Sequence, residues 1–115
     1  MSARLDQLKM ELITLSGSAD EQLESLRKSG CVPPEQYIDE LALCYDDIAA
    51  AAEGMLMDHE LNGAQCERVQ ELNEHLESFS GSQNAHLWTA DALRTADEWK
   101  KVRRIAKDCL ALLSS

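Results

Sequence analysis

Two side chains that could bind a metal, Glu71 and His75, stand four positions apart. On a helix this spacing places both on one face, and Asp58-His59-Glu60 supplies further ligand types. A di-iron helical bundle, however, needs Glu-x-x-His on two helices, and helical zinc hydrolases need His-Glu-x-x-His. Neither pattern occurs. We therefore expect no metal and no cofactor, and a surface pair between Glu71 and His75. A metal-dependent enzyme using Glu71 and His75 is kept as an alternative.

Nucleophilic catalysis needs a cysteine or serine beside a base and an orienting group. The chain has no Cys-x-x-Cys spacing, and its four cysteines are far apart: Cys31, Cys44, Cys66 and Cys109. The five glycines all stand alone, so the sequence lacks a phosphate-binding loop. We predict that the cysteines are small buried side chains in a reducing cytoplasm, with a disulfide in an exported protein as the alternative. No catalytic residue is predicted, and we expect that the protein is not an enzyme.

Acidic residues recur at seven-residue intervals in the middle of the chain. They are Asp39, Asp46, Glu53 and Glu60, with Asp47 beside them. Seven residues are about two helical turns, so these carboxylates share one face of a helix. Residues 35–77 contain twelve acidic residues and one basic residue, a net charge of −11. Such a surface accelerates encounter with a positively charged protein. We therefore predict that Asp39, Asp46, Asp47, Glu53 and Glu60 bind a basic protein partner.

The charge balance also argues against some classes of partner. A net charge of −10 repels nucleic acid and anionic membranes. Residues 94–107 carry six basic and two acidic residues but only one aromatic residue, Trp99, so we predict no nucleic-acid binding. This basic stretch and the acidic middle of the chain could instead attract each other across the fold.

The sequence also argues against a membrane protein. No run approaches the ~20 apolar residues of a membrane span. The first ten residues alternate charged and apolar side chains, which is unlike a signal peptide. We therefore expect no membrane association and a cytoplasmic protein.

The elements that must position these residues are helices, because aromatic residues make up only 4 % of the chain and β-branched residues are sparse. From Ile38 to His59, apolar or small residues recur every three or four positions and cover most of a helical circumference. That pattern is typical of a helix packed on several sides. We predict one continuous central helix near residues 35–60, with only its acidic edge in water.

Apolar residues at three- and four-residue spacing predict further amphipathic helices. The sets are Leu5, Leu8, Leu12 and Leu15, with Ile13 widening the face; Leu23 and Leu26; Val69, Leu72, Leu76 and Phe79; and Trp99, Val102, Ala106, Cys109 and Leu113. Ser18 and Glu21 form a capping-box pattern, and Gly30 marks the end of the second helix. The predicted fold is all-α: a single domain, residues 1–115, with about five helices around the central helix.

The triplet Thr-Ala-Asp occurs twice, at residues 89–91 and 95–97. Threonine is a good N-cap, and an aspartate in the first turn is stabilised by the helix dipole. We predict that Thr89 and Thr95 each begin a helix, with Thr95 and Glu98 forming a second capping box.

The function predicted from these observations is a small, acidic, non-catalytic protein-binding module. In size and charge, though in no motif, the chain resembles bacterial immunity proteins and antitoxins, which implies neutralisation of a basic partner. The main alternative is a self-associating structural or regulatory protein, such as a homodimer. Its motivation is apolar surface that five helices would not cover, at Leu43, Met57 and Leu112.

Overall fold

The computed structural model describes residues 3–114, which form an all-helical bundle without strands in that range. Two short 3-10 turns, Pro34–Gln36 and Ser82–Leu87, join longer elements. The α-helices are α1 (Ala3–Ser16), α2 (Ala19–Lys28), α3 (Asp39–Ala49), α4 (Ala52–Met57), α5 (Gly63–Ser78), α6 (Ala90–Thr95) and α7 (Asp97–Ser114). The predicted all-α bundle is confirmed, with seven α-helices in the described range where about five were predicted.

The core lies mainly between α1, α5 and α7, because α7 packs against both of the other helices. The predicted seams are buried there: Leu8, Leu12 and Leu15 of α1, Val69, Leu72 and Leu76 of α5, and Trp99, Val102, Ala106 and Cys109 of α7. Leu5 and Leu113 of the predicted seams are only half-buried, and Ile13 is an exception, since it is 60 % exposed on the outer side of α1. It therefore does not widen the buried face as predicted.

The predicted central helix is two helices at the periphery, so this part of the prediction is wrong. The amide of Ala51 donates to the carbonyl of Ile48, three residues back, and the chain turns at Ala50–Ala51 before α4 begins. Tyr45 and Met55 are fully buried, so the inner side was predicted well. Alanine buries little surface and is common on either side of a helix, so the spacing pattern could not reveal the interruption or the solvent-facing side.

The start of α2 is capped as predicted. Ser18 accepts a hydrogen bond from the amide of Glu21, and the Glu21 carboxylate accepts one from the amide of Ser18. The hydrogen bond that the Ser18 amide donates to the carboxylate is the main cause that lowers the pKa of Glu21. Asn62 and Gln65 form a second reciprocal box at the start of α5, which satisfies two amides that a helix start leaves unpaired.

The repeated Thr-Ala-Asp triplet gives one correct and one wrong prediction. The Thr89 hydroxyl accepts from the amide of Ala92 and caps α6. Thr95 instead lies in the last turn of α6, where its hydroxyl donates to the carbonyl of Asp91 at 2.8 Å. The helix begun by the first triplet thus extends through the second threonine. Ala96 is extended, and α7 begins at Asp97.

Four aromatic rings pack together where the segment after α5 meets α7. Trp88 stacks on Phe79 at 5.1 Å between ring centroids, and Trp99 meets both rings edge-on. Each indole donates to a backbone carbonyl, Trp88 to Phe79 and Trp99 to Leu87. His75 lies against Phe79 on the outer side. The cluster therefore fixes the polar connection between α5 and α6 to the core.

Candidate protein-binding site

Two open depressions follow one another between α5 and the helix pair α3–α4. The first holds about 140 Å³ and is lined by Leu43 and Asp46 of α3 and by Asn73 and Glu77 of α5, among others. The second holds about 420 Å³ between α4 and the first half of α5. Its lining includes Glu53, Leu56, Met57, Cys66, Glu67 and Gln70. Both depressions are lined by residues of α5, one further along the helix than the other, and we refer to the two together as the acidic groove.

Carboxylates rim the acidic groove on both walls. Asp46 and Glu53 stand on the α3–α4 wall, and Glu67 and Glu77 stand on the α5 wall. All four are exposed to solvent. No ion pair between residues of the described range engages any of them. The groove therefore presents a negative potential that no ion pair within residues 3–114 neutralises.

Apolar side chains are exposed inside this negative rim. Leu43 is 51 % exposed, Leu56 37 % and Met57 79 %. The thiol of Cys66 lies below them, where burial and the nearby carboxylates of Glu53 and Glu67 raise its pKa. A ligand suited to this surface must be cationic and must also carry apolar groups.

The five residues predicted to bind a partner do not form one surface. Asp46 and Glu53 line the acidic groove, and Asp39 is exposed at the start of α3. Asp47 lies on the other side of α3, in a depression shared with α1. Glu60 is half-buried and bound to Arg4.

The arginine that neutralises Glu60 comes from the beginning of α1. Arg4 donates to Asp58 at 2.8 Å and also to Glu60, and these two partners raise its pKa. A Cβ at Gly54 would lie 3.1 Å from the Arg4 guanidinium. Because Gly54 has no side chain, α4 leaves room for the Arg4 guanidinium. Glu60 is therefore bound within the protein by Arg4.

The groove residues that the sequence analysis missed are Glu67 and Glu77. The α5 seam already placed them outside the core. The spacing of residues along α5 could not show which helices pack beside the side of α5 that carries Glu67 and Glu77. Only the packing of α3 and α4 against it brings Glu67 and Glu77 opposite Glu53 and Asp46.

The basic side chains of residues 94–107 have partners other than the carboxylates of α3, α4 and α5 wherever the described structure shows a hydrogen bond or ion pair for them. Arg103 donates to the carbonyl of Leu93 at 2.9 Å and to buried Gln22 at 3.4 Å, and desolvation lowers its pKa. Arg94 pairs with Asp20 at 3.4 Å. Within residues 3–114 no ion pair joins this stretch to α3, α4 or α5, so any attraction between the two regions acts without direct ion pairs.

The candidate metal ligands have other partners. Glu71 accepts from Arg68 at 2.8 Å, and Nε2 of His75 lies 2.9 Å from the carbonyl oxygen of Glu98. The predicted pair between Glu71 and His75 is therefore wrong. No cluster of three or more potential ligand side chains is found in the described part of the chain.

The four cysteines are free thiols in the structure, but only Cys66 and Cys109 are buried as predicted. Burial raises the pKa of Cys109 to about 12. Cys44 is exposed and Cys31 half-buried. Both line a cavity of about 300 Å³ between α1, α2 and α3, together with Glu11 and Glu40. Partial burial and these carboxylates raise the pKa of Cys44, which opposes formation of a nucleophilic thiolate.

Comparison with known proteins leaves the function open: the chain matches no protein-family model, no curated protein and no solved structure. Among the described helices, none has both the length and the apolar character that crossing a membrane requires. The acidic groove is therefore the feature on which a functional proposal can be built.

Proposed function

We propose that the protein is a non-catalytic binding module that holds a basic segment of a partner protein in the acidic groove. One observation carries this proposal: two depressions with exposed apolar side chains are rimmed on both walls by exposed carboxylates that form no ion pair within residues 3–114. A solvated acidic face alone would need no apolar residues. An exposed apolar patch without a preference for a charged partner would need no rim of carboxylates around it.

The two components of the groove would contribute differently to binding. Rim carboxylates such as Asp46 and Glu67 would attract a cationic segment and raise the association rate, most strongly at low salt. The exposed parts of Leu43 and Met57 would add stability to the bound state. Full burial of such a side chain contributes about 1.5–3 kcal/mol, so residual burial here contributes less per residue. If the carboxylates govern the association rate and the apolar residues stabilise the complex, association should be fast and should slow as salt is added.

A reducing cytoplasm is the compartment we propose for this activity. The described chain contains four unpaired thiols, and two of them lie in the core. A neutraliser of a basic toxin or nuclease domain is one form that the function could take. Small size and acidity support that form, and no sequence motif adds to it.

Photo-crosslinking tests the proposal with the intact protein. A photoreactive amino acid would replace Leu43 in the groove or, as a control, Val32 before α3, which is similarly exposed and lies outside the groove lining. Each variant would be irradiated in extracts of cells that make the protein, and the attached peptides would be sequenced. We expect adducts from Leu43 to map to segments of net positive charge, and we expect no such adducts from Val32.

Charge reversals complete this test. The groove reversal changes Asp46→Lys and Glu53→Lys. The control reversal changes Glu35→Lys and Asp108→Lys, which are exposed and lie outside the groove lining. The groove reversal should abolish the Leu43 adducts, and the control reversal should leave them. Adducts that survive the groove reversal, or that attach to neutral or acidic segments, contradict the proposal.

Self-association is the second candidate function, because α1 also exposes apolar side chains. Met10 is 65 % and Ile13 60 % exposed on its outer side. Of the residues that first suggested a homodimer, Leu43 and Met57 are exposed, whereas Leu112 is half-buried. Sedimentation velocity at micromolar concentration should then show a dimer that Ile13→Glu dissociates. A monomer at every concentration tested removes this candidate.

A further inference from the structure

We infer that the segment held in the acidic groove is an amphipathic α-helix with two apolar anchors and basic residues on both of its flanks. This inference rests on the proposed function and names the conformation and the chemistry of the partner segment. Three features of the groove support it: the hydrogen bonding of its walls, the spacing of its depressions and the shape of its middle.

The walls of the acidic groove offer no sheet edge to an extended segment. They are formed by α3, α4 and α5, and the amides and carbonyls within α-helices are already hydrogen-bonded to each other. An extended segment would lose water from its own backbone groups on docking without gaining a sheet edge in return. In a helical segment the backbone amides and carbonyls are already hydrogen-bonded to each other. Binding of a helix in the groove is therefore the favoured mode.

The distance between the depressions gives the spacing of the anchors. On α5 the second depression is centred near Cys66 and the first near Leu76, ten positions further along the same helix. With a rise of 1.5 Å per residue, this corresponds to roughly 15 Å. On a bound helix, residues about eleven positions apart lie at nearly this distance and on the same face. Two such residues would fill the depressions.

The middle of the groove leaves space for a helix to lie across both depressions. Ala50 is exposed between Asp46 and Glu53 and has no side chain beyond its Cβ. On the opposite wall, Gln70 and Asn73 are half-buried amides. Carboxylates line the depressions from both walls, so a helix lying along this path would face carboxylates on two sides. Its apolar stripe must therefore be flanked by lysine or arginine on each side.

Synthetic peptides of about eighteen residues can test this inference. The matched peptide contains lysine and alanine with two leucines about eleven positions apart. The first control has the same composition but places the leucines about nine positions apart, on opposite helix faces. The second control carries a central proline in the matched sequence, which breaks a helix. Binding to the intact protein would be followed by fluorescence anisotropy at low salt.

We expect the matched peptide to bind at least about tenfold more tightly than either control, which corresponds to about 1.4 kcal/mol. The groove reversal should weaken its binding by at least as much, and the control reversal should change it little. Circular dichroism should show that the bound peptide gains helicity.

Other outcomes overturn the inference. Equal binding by the proline peptide, if lost in the groove reversal, excludes a helical occupant but leaves the proposed function intact. Binding equally weakened by both reversals shows non-specific attraction to a −10 protein and contradicts the inference. If no peptide binds, the inference also fails, whereas the proposed function is decided separately by the Leu43 crosslinks.

Discussion

Tyr45 connects two helices through a single buried hydrogen bond. Its side chain is fully buried, and its hydroxyl donates to the carbonyl of Val69 in α5 at 2.7 Å. Burial raises the pKa of this hydroxyl, so it remains a protonated donor under ordinary conditions. Val69 lies inside α5, where its carbonyl can also accept a hydrogen bond from the following turn. Loss of the hydroxyl would therefore not leave the carbonyl unpaired.

We expect Tyr45→Phe to lower the free energy of unfolding by about 1 kcal/mol, the typical net contribution of such a hydrogen bond. Urea denaturation followed by circular dichroism measures this change. Tyr37→Phe is the control because Tyr37 is 39 % exposed, and its effect should stay below about 0.5 kcal/mol. An equal effect of both substitutions would show that the Tyr45 hydroxyl contributes nothing specific.

Two helices end with the same backbone motif but with different residues in its left-handed position. After α2, the amide of Cys31 donates to the carbonyl of Leu26, and Gly30 has a φ of 90°. After α4, the amide of Glu60 donates to the carbonyl of Met55, and His59 has a φ of 62°. Both are Schellman ends. Glycine adopts the left-handed region at little cost, whereas histidine, with its Cβ, pays a steric penalty there.

Substitutions at these two positions should have opposite effects. We expect His59→Gly to raise the free energy of unfolding by about 1 kcal/mol and Gly30→Ala to lower it by a similar amount. His59→Ala should leave stability nearly unchanged, because alanine has the same Cβ. Urea denaturation of the three variants measures the differences. If His59→Gly destabilises the protein, the His59 side chain contributes an interaction that outweighs the backbone strain.

At the scale of elements, the sequence predicts buried faces better than interruptions. Val69, Leu72 and Leu76 lie on one buried face because large apolar residues are stabilised by removal from water. Their three- and four-residue spacing matches the repeat of an α-helix, so the sequence reveals this face. Ala50 and Ala51 are small residues that fit on either side of a helix, so they do not reveal that the helix is interrupted there. Thr95 shows the same limit, because a threonine hydroxyl can cap a new helix or bond back into the preceding turn. Tertiary packing selects between these states.

At the scale of the whole molecule, negative charge is concentrated in α3, α4, α5 and their connections, and ion pairs compensate only part of it. Residues 35–77, which contain α3, α4 and α5, have a net charge of −11, and their carboxylates repel each other. Most of the ion pairs in the described structure lie at the surface, where such pairs stabilise little. Salt should therefore screen more repulsion than attraction, since the screening length falls to about 10 Å at 0.1 M.

We expect the urea midpoint to rise when sodium chloride is increased from about 20 mM to about 300 mM. The groove reversal should flatten this response more than the control reversal, because Asp46 and Glu53 stand among other carboxylates, whereas Asp108 lies beside basic residues of α7. Denaturation curves at several salt concentrations provide the measurement. A midpoint that falls with salt would mean that ion pairs, such as those of Arg4, dominate the electrostatic energy.

The candidate site could be predicted from the sequence only in part. The acidic character and two of its residues, Asp46 and Glu53, follow from the spacing of charges along one segment. Glu67 and Glu77 belong to another helix, and their place in the groove depends on how α5 packs against α3 and α4. Likewise, Arg4 is more than fifty positions from Glu60, so a local pattern cannot reveal that it removes this carboxylate from the surface.

The aromatic cluster determines what an optical measurement on this protein can report. Both tryptophans belong to it, with ring centroids 5.2 Å apart, and neither lines the acidic groove. Indoles this close exchange excitation energy, so their emission behaves as one signal from the junction with α7. Occupation of the groove would leave that signal unchanged, and a shift in emission wavelength on adding a peptide would instead indicate rearrangement of the helices beneath it.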